Sequence, residues 1–265
     1  MHTVVVLAAG RGSRLGTATD QRPKPLTPLA GRTLLARLLT AFDAAGLHQV
    51  TLVTGYRADD LAAAAPACRT VHNPDWATTG IATSLLAAAD AGALDGGAVV
   101  TYGDITLEPR VLTTLLTAAP ADICLPVNTS WLRLWQQRMP DPLADAERLL
   151  LRTDSTLADI GGAPASLDEV NGQFMGVLRL SPAGAAALTD FYRHHLQHTD
   201  GADRWDTTAL LRAFLADGHQ VDTVPVDGGW LETDTPDDHA LYERLHVAGH
   251  LGELCDLATT EGDPK

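Results

Sequence analysis

Two neighbouring segments of this chain carry residue types that could do chemistry on phosphate. Leu7-Ala-Ala-Gly-Arg-Gly-Ser-Arg-Leu-Gly16 is a glycine-rich turn, and Arg22-Pro-Lys-Pro-Leu26 follows it after a short gap. Lys24 is one of two lysines among 265 residues, against seventeen arginines. A turn of backbone N–H groups followed by a compact, strongly hydrated point charge is a natural receptor for a polyphosphate. Pro23 and Pro25 pin the backbone on either side of that charge. Gly10 and Gly12 alone would fit any tight strand-to-helix turn that needs positive φ. Phosphoryl-type transfer also needs cations around the developing charge, and Mg2+ favours one or two carboxylates with phosphate oxygens and water. Asp104 follows Tyr102-Gly103 at the end of an apolar run. In Trp230-Leu-Glu-Thr-Asp234, Glu232 and Asp234 share one face of an extended segment. The plain alternatives are helix caps: Asp104 before Leu107 and Glu108, and Asp234 before the helix that follows Pro236, where Thr235 also suits.

These groups need a sheet to hold them, and the first half of the chain predicts one. Thr3–Ala8 is a continuous apolar run with three valines, as in a buried parallel strand. Helical spacing over Leu34–Ala45, Asp59–Ala65, Ile81–Ala91 and Glu108–Ala118 alternates with strand patterns at Gln49–Thr54, Cys68–His72, Ala98–Tyr102 and Ala121–Val127. Such alternation predicts an α/β fold in which a mostly parallel sheet binds ligands at the carboxyl ends of its strands. Later, Gln173–Leu180, Val221–Val226 and Trp230–Thr233 are expected strands, and Pro182–His198, Thr207–Ala216 and Pro236–His246 expected helices. With no internal repeat or low-complexity linker, one domain over residues 1–247 is expected. An excursion at about 129–172 would cover the site, and 248–265 would be a loosely attached tail.

The glycine turn is not the dinucleotide fingerprint, because Leu15 stands where a glycine is required, and no Gly-Lys-Ser/Thr ends it as a P-loop would. With Arg14 and Lys24 added, it resembles the signature of the nucleoside-triphosphate transferases, the nucleotidyltransferases that act on sugar phosphates, phosphocholine and phosphonates. The resemblance implies a single Rossmann-like nucleotidyltransferase domain. It also implies that Leu7, Ala8, Ala9, Gly10, Gly12, Ser13, Arg14, Lys24 and Gly103 contact nucleotide. Asp104 and Asp234 would then ligate Mg2+, with Glu232 a supporting or substrate-facing carboxylate. Asn73-Pro-Asp-Trp-Ala-Thr-Thr-Gly80, then Ser84-Leu85, resembles the family's base-reading loop and following helix. Phosphocholine-type members often carry Asn-Asn-x-x-Ser-Leu; here Thr79-Gly80 replaces the asparagines and Ser84 falls one residue further on, which leaves base choice open. Thr79, Gly80 and the Ser84 hydroxyl are the candidates for reading cytosine, and a bond from Ser84 to its own helix backbone is the alternative.

Residues 128–147, with Asn171-Gly-Gln-Phe-Met-Gly176, resemble phosphonate cytidylyltransferases. Trp131 and Trp135 lie four apart on one helical face, and either face an acceptor or pack the excursion down. Arg133 and Arg138 could grip a phosphonate through paired N–H groups, and Gln173 lies on the strand expected beside the acceptor. The implied reaction transfers CMP from CTP to a small phosphonate or phosphate monoester, such as 2-aminoethylphosphonate or a hydroxylated analogue, and releases pyrophosphate. A phosphocholine cytidylyltransferase and a sugar-1-phosphate nucleotidyltransferase are the alternatives. A non-catalytic nucleotide-binding module would have lost the carboxylates that Asp104 and Asp234 keep. A homodimer is implied by resemblance alone, with Arg204-Trp205-Asp206 in the region that can approach the acceptor.

The totals narrow the partners. A net charge of −14 and no basic stripe argue against nucleic acid. No apolar run spans a bilayer, and residues 1–9 lack a signal-peptide pattern, so a cytoplasmic protein off the membrane is expected. Cys68, Cys124 and Cys255 are odd in number and lack ligand spacing, which predicts reduced thiols, the first two buried. His194, His195 and His198 end a helix, where imidazole suits the terminal carbonyls better than a metal.

Overall fold

A computed structural model of the chain describes residues 3–260. The strands are β1 (Thr3–Leu7), β2 (Pro28–Leu29), β3 (Arg32–Thr33), β4 (Val50–Thr54), β5 (Arg69–His72), β6 (Ala98–Tyr102), β7 (Ile105–Leu107), β8 (Ile123–Asn128), β9 (Leu149–Leu151), β10 (Leu157–Ile160), β11 (Gln173–Phe174), β12 (Val177–Leu180), β13 (Asp222–Val226) and β14 (Trp230–Glu232). The helices are α1 (Leu34–Ala44), α2 (Ala58–Ala64), α3 (Ile81–Asp90), α4 (Pro109–Thr117), α5 (Trp131–Arg138), α6 (Pro182–His198), α7 (Thr207–Ala216) and α8 (Pro236–Val247).

Eight strands form the central sheet, ordered β11-β8-β12-β6-β1-β4-β5, with β13 parallel to β8. Its parallel core is β5-β4-β1-β6, built from the valine-rich runs. Successive side chains point to opposite faces, so Val4 and Val6 pack with α1 and α4 while Val5 and Leu7 join the layer of α3, α6 and α7. Burying both faces makes these strands continuously apolar rather than alternating. Among the described residues, no helix is long and apolar enough to cross a membrane.

Four sequence expectations change or are settled. The strand expected over Gln173–Leu180 is two, broken where Gly176 takes φ 67° and a Cβ would lie 2.8 Å from the Tyr102 ring. Its second part, β12, runs antiparallel to both β6 and β8. The strand expected at Trp230–Thr233 is β14, and it gains an unexpected partner, β7, in an antiparallel ribbon that pairs Glu232 with Ile105. In the excursion the packing alternative prevails: Trp131, Leu134 and Trp135 of α5 enter the core, and the Trp135 and Trp230 rings stack at 5.9 Å. The C-terminal segment is docked through Thr260, with Leu251, Cys255 and Leu257 buried; residues 261–265 lie outside the described part. Buried Arg37 donates to the Leu257 carbonyl, at 3.3 Å, and to the Thr260 hydroxyl, at 3.2 Å, which ties this segment to α1. Cys124 and Cys255 are therefore the buried thiols, while Cys68 is half-buried.

Candidate active site

Lys24 sits at the bottom of the site because its backbone leaves it no alternative. Its side chain is 6% exposed, and its methylene stem lies against Gly12. Gly12 has φ 69°, and a Cβ there would fall 2.6 Å from Lys24 Cδ, so glycine is required twice over, by conformation and by space. The ammonium then reaches the carboxyl edge of the sheet. Nζ donates to Asp104 Oδ2 at 2.7 Å and to Asp234 Oδ1 at 2.5 Å. Burial alone would lower the pKa of this ammonium, but the charges of Asp104 and Asp234 outweigh it and the net shift is upward. Lys24 is charged throughout the working pH range.

The two carboxylates come from one end of the antiparallel β7–β14 ribbon, where Glu232 pairs with Ile105. Asp104 stands between β6 and β7, and Asp234 lies two residues past β14, with Thr233 N donating to the Asp104 carbonyl at 3.3 Å. Neither caps a helix. The N-cap residue of α4 is Glu108, and Thr235 caps α8 in a reciprocal box with Asp238. Arg14, whose side chain is 67% exposed, reaches Asp234 Oδ2 at 3.0 Å. Asp104 Oδ1 is buried and has no hydrogen-bond partner. An orphaned carboxylate oxygen beside a second carboxylate is the donor set that suits Mg2+ completed by phosphate and water. No group of three or more candidate metal ligands occurs among the described residues.

A cavity of about 380 Å³ opens from this point. Arg14, Asp104, Glu232 and Asp234 form one end, while Asp145, Glu147 and Asp206 line the rest with the rings of Tyr102, Trp135 and Phe174. Burial, then the charges of Asp234 and Asp104, push the Glu232 carboxyl up to about 8, against the opposing pull of Arg138 and Lys24. Asp145 and Glu147 are also raised, mainly by burial. A carboxyl raised in the folded state loses stability as pH climbs above its unfolded value, near 4.5 for Glu147. Glu147→Gln is therefore expected to raise the melting temperature at pH 8 and to leave it unchanged at pH 4, as read by calorimetry.

Other expected contacts are placed differently. Arg138 has a side chain only 1% exposed and holds Asp238 with two bonds, Nε to Oδ1 at 2.8 Å and Nη2 to Oδ2 at 3.1 Å. Asp238 in turn accepts from the backbone N–H of Asp234, at 3.2 Å, and of Thr235, at 2.9 Å. Arg138 thus braces the segment that carries Asp234 rather than gripping a ligand. Removing it strands a buried carboxylate, which costs about 3 kcal/mol. Arg138→Met should lower the melting temperature by about 6–12 °C and reduce kcat, without a selective rise in acceptor KM; a normal melting temperature with only that KM raised would restore the gripping role. Arg133 is on the outer surface, 3.0 Å from Glu253, and not on this cavity. Trp131 is 5% exposed in the core, and Trp135 reaches the cavity wall while stacked on Trp230. Gln173 lines the cavity with its amide tied to the Glu147 main chain, donating at 2.7 Å and accepting at 3.2 Å.

In the expected base-reading loop, the Ser84 hydroxyl is buried and accepts from Asn73 Nδ2 at 3.1 Å, so it braces the loop from within rather than bonding its own helix. Thr79 folds its hydroxyl onto the Asp75 carbonyl at 2.8 Å. Gly80 donates to the Asp203 carbonyl at 2.7 Å, and a Cβ on it would strike the Trp205 carbonyl at 2.1 Å. The residues that sequence reasoning passed over are Asp145, Glu147, Tyr102 and Phe174. Asp206 is the N-cap of α7, accepting from Ala209 N at 2.7 Å, and it also faces the cavity. Sequence alone offered one clue: three acidic residues in 141–147 following an aromatic and basic stretch.

Known proteins share this architecture. The chain is 25% identical over 245 residues to the CTP:phosphoglutamine cytidylyltransferase of Campylobacter jejuni, covering 88% of this chain and 96% of that one. It is 42% identical over 123 residues to the CMP-5'-(3-aminopropyl)phosphonate synthase of Streptomyces rubellomurinus, a match that covers 44% of this chain and only 19% of that protein. The inositol-1-phosphate CTP transferase of T. maritima superposes with a TM-score of 0.71 at 18% identity, covering 97% of this chain and 98% of that one. The CTP:phosphocholine cytidylyltransferase of Streptococcus pneumoniae gives 0.69 at 16%, covering 92% and 98%. At such identities these two structures speak to the fold alone, which is that of the nucleotidyltransferases. The model of the MobA-like NTP transferase domain matches residues 4–162, from the first valines of β1 through the lysine and its first carboxylate, and the chain belongs to that family.

Proposed function

We propose that this protein is a cytidylyltransferase that joins CMP from CTP to a small phosphonate or phosphate monoester bearing an ammonium group, and releases pyrophosphate. The observation that carries the reading is the Lys24 ammonium, held at 2.7 Å from Asp104 and 2.5 Å from Asp234 under a glycine turn and beside the open cavity. Relatives named for CTP chemistry on phosphoglutamine and on an aminopropylphosphonate product support the choice of nucleotide and acceptor class.

In the proposed reaction an acceptor oxygen attacks the α-phosphorus of CTP. A new P–O bond forms as the bond to the β-phosphate oxygen breaks in line, and pyrophosphate takes that electron pair. The acceptor oxygen is already anionic, so no general base is required. The difficulty is bringing two anions together, and positioned positive charge is what relieves it. Lys24 and Arg14 would pair with phosphate oxygens, and the N–H groups of the turn at Gly10–Ser13 would cradle them. Asp104 and Asp234 would hold Mg2+, which supplies charge neutralisation at the phosphates when bound.

The far wall favours a cation on the acceptor. Asp145, Glu147 and Asp206 face the cavity with no basic residue there but Arg14, and aromatic faces add cation–π attraction. Arg138 already stands 3.5 Å from Asp145, but a neutral hydroxyl in that place would leave Glu147 and Asp206 without an ion-pair partner among the described residues. Steady-state assays of pyrophosphate release should show CTP preferred to UTP, and 2-aminoethylphosphonate preferred to its hydroxyl analogue by at least about tenfold in kcat/KM. Glu147→Gln should narrow that preference. Faster turnover of UTP with a sugar 1-phosphate would overturn the reading in favour of a sugar nucleotidyltransferase.

A further inference from the structure

Both oxygens of Asp234 and one of Asp104 are engaged by the protein's own cations. Lys24 bridges the two carboxylates, and Arg14 takes the second oxygen of Asp234. The remaining oxygen, Asp104 Oδ1, is buried and unpartnered. Two positive side chains thus stand against these two carboxylates in charge balance, so the pair offers a further cation little net attraction. We propose that the Lys24 ammonium fills the place between Asp104 and Asp234 that a divalent cation takes only when a nucleoside triphosphate draws the lysine away. The inference rests on the assignment of Asp104 and Asp234 as the metal-holding carboxylates.

The geometry makes this exchange short. The stem of Lys24 is fixed between Gly12 and two prolines, so the backbone and first methylenes have nowhere to go. The end of the side chain is what can turn, from the carboxylates toward the glycine turn. A triphosphate in that turn presents several anionic oxygens and competes with the carboxylates for both Lys24 and Arg14. Released, the two carboxylates regain the charge that attracts a divalent ion. The protein then takes up metal together with nucleotide rather than before it, which is thermodynamic coupling of two ligands through one side chain.

The test uses Mn2+ as the metal and needs no turnover. Electron paramagnetic resonance of free Mn2+ should show that Lys24→Met binds about one ion without nucleotide, at least about tenfold more tightly than the wild type. Lys24→Met/Asp104→Asn should lose that binding. Thermal melts of the wild type supply a readout independent of any variant: MnCl2 alone leaves the melting temperature in place, while MnCl2 with CTP raises it by more than the separate effects combined. Nucleotide-free wild type binding Mn2+ as tightly as Lys24→Met, or melts in which the two ligands act additively, would overturn the proposal. A protein that shows the exchange but transfers no CMP overturns the proposed function and leaves this inference standing.

Discussion

Replacing Lys24 with methionine is expected to lower kcat by about 10²–10³-fold. Methionine keeps the stem that packs on Gly12, where a Cβ would come within 2.6 Å, and removes only the charge. The loss therefore isolates what the ammonium contributes to a transition state in which two anions meet. A second effect accompanies it. Asp104 and Asp234 lose the cation that bridges them, and breaking a buried pair from one side costs about 3 kcal/mol; Arg14 still holds Asp234, at 3.0 Å. A melting temperature lower by about 6–12 °C, with an unchanged circular-dichroism spectrum, is the expected result. Near-normal turnover would remove Lys24 from the chemistry.

Asp104→Asn should have a comparable effect on rate and a smaller one on stability. The amide is isosteric, and Lys24 retains Asp234 at 2.5 Å. Asp104 is also the less buried partner, with its side chain 24% exposed. The variant should lose at least about 10²-fold in kcat, and its residual activity should no longer depend on Mg2+ concentration. A magnesium titration of wild type and variant side by side checks this; a variant that keeps the wild-type metal dependence would move the ligand elsewhere.

Where the chemistry is local, the sequence discloses it. Gly12, Lys24 and the two prolines lie within fifteen residues of one another, and glycine and proline state their conformations through covalent geometry. The buried strands were equally plain, because parallel strands covered on both faces become unbroken valine runs. Of the β7–β14 ribbon only the Trp230 strand was legible, since the three residues of β7 are too few for any periodicity to show. That ribbon is nevertheless what brings Asp104 to Asp234. The role of the excursion stayed open for a related reason. The spacing of Trp131 and Trp135 defines a helical face but not whether that face meets ligand or core. Arg138 found its partner one hundred residues away, in Asp238. The acidic wall is assembled from the loop before β9 and the cap of α7, so no single segment displayed it.

Lys24 and its two carboxylates are proposed to serve CMP transfer to an amino-bearing phosphonate. Phosphorus NMR of the wild-type protein with CTP, Mg2+ and 2-aminoethylphosphonate tests it most directly, because it observes the bond formed as well as the group released. Free pyrophosphate and a phosphonate resonance newly coupled to the α-phosphorus of CMP are expected, both absent when Lys24→Met replaces the wild type. Unchanged CTP and phosphonate signals with the wild type, or the same products from the Lys24→Met protein, would contradict it.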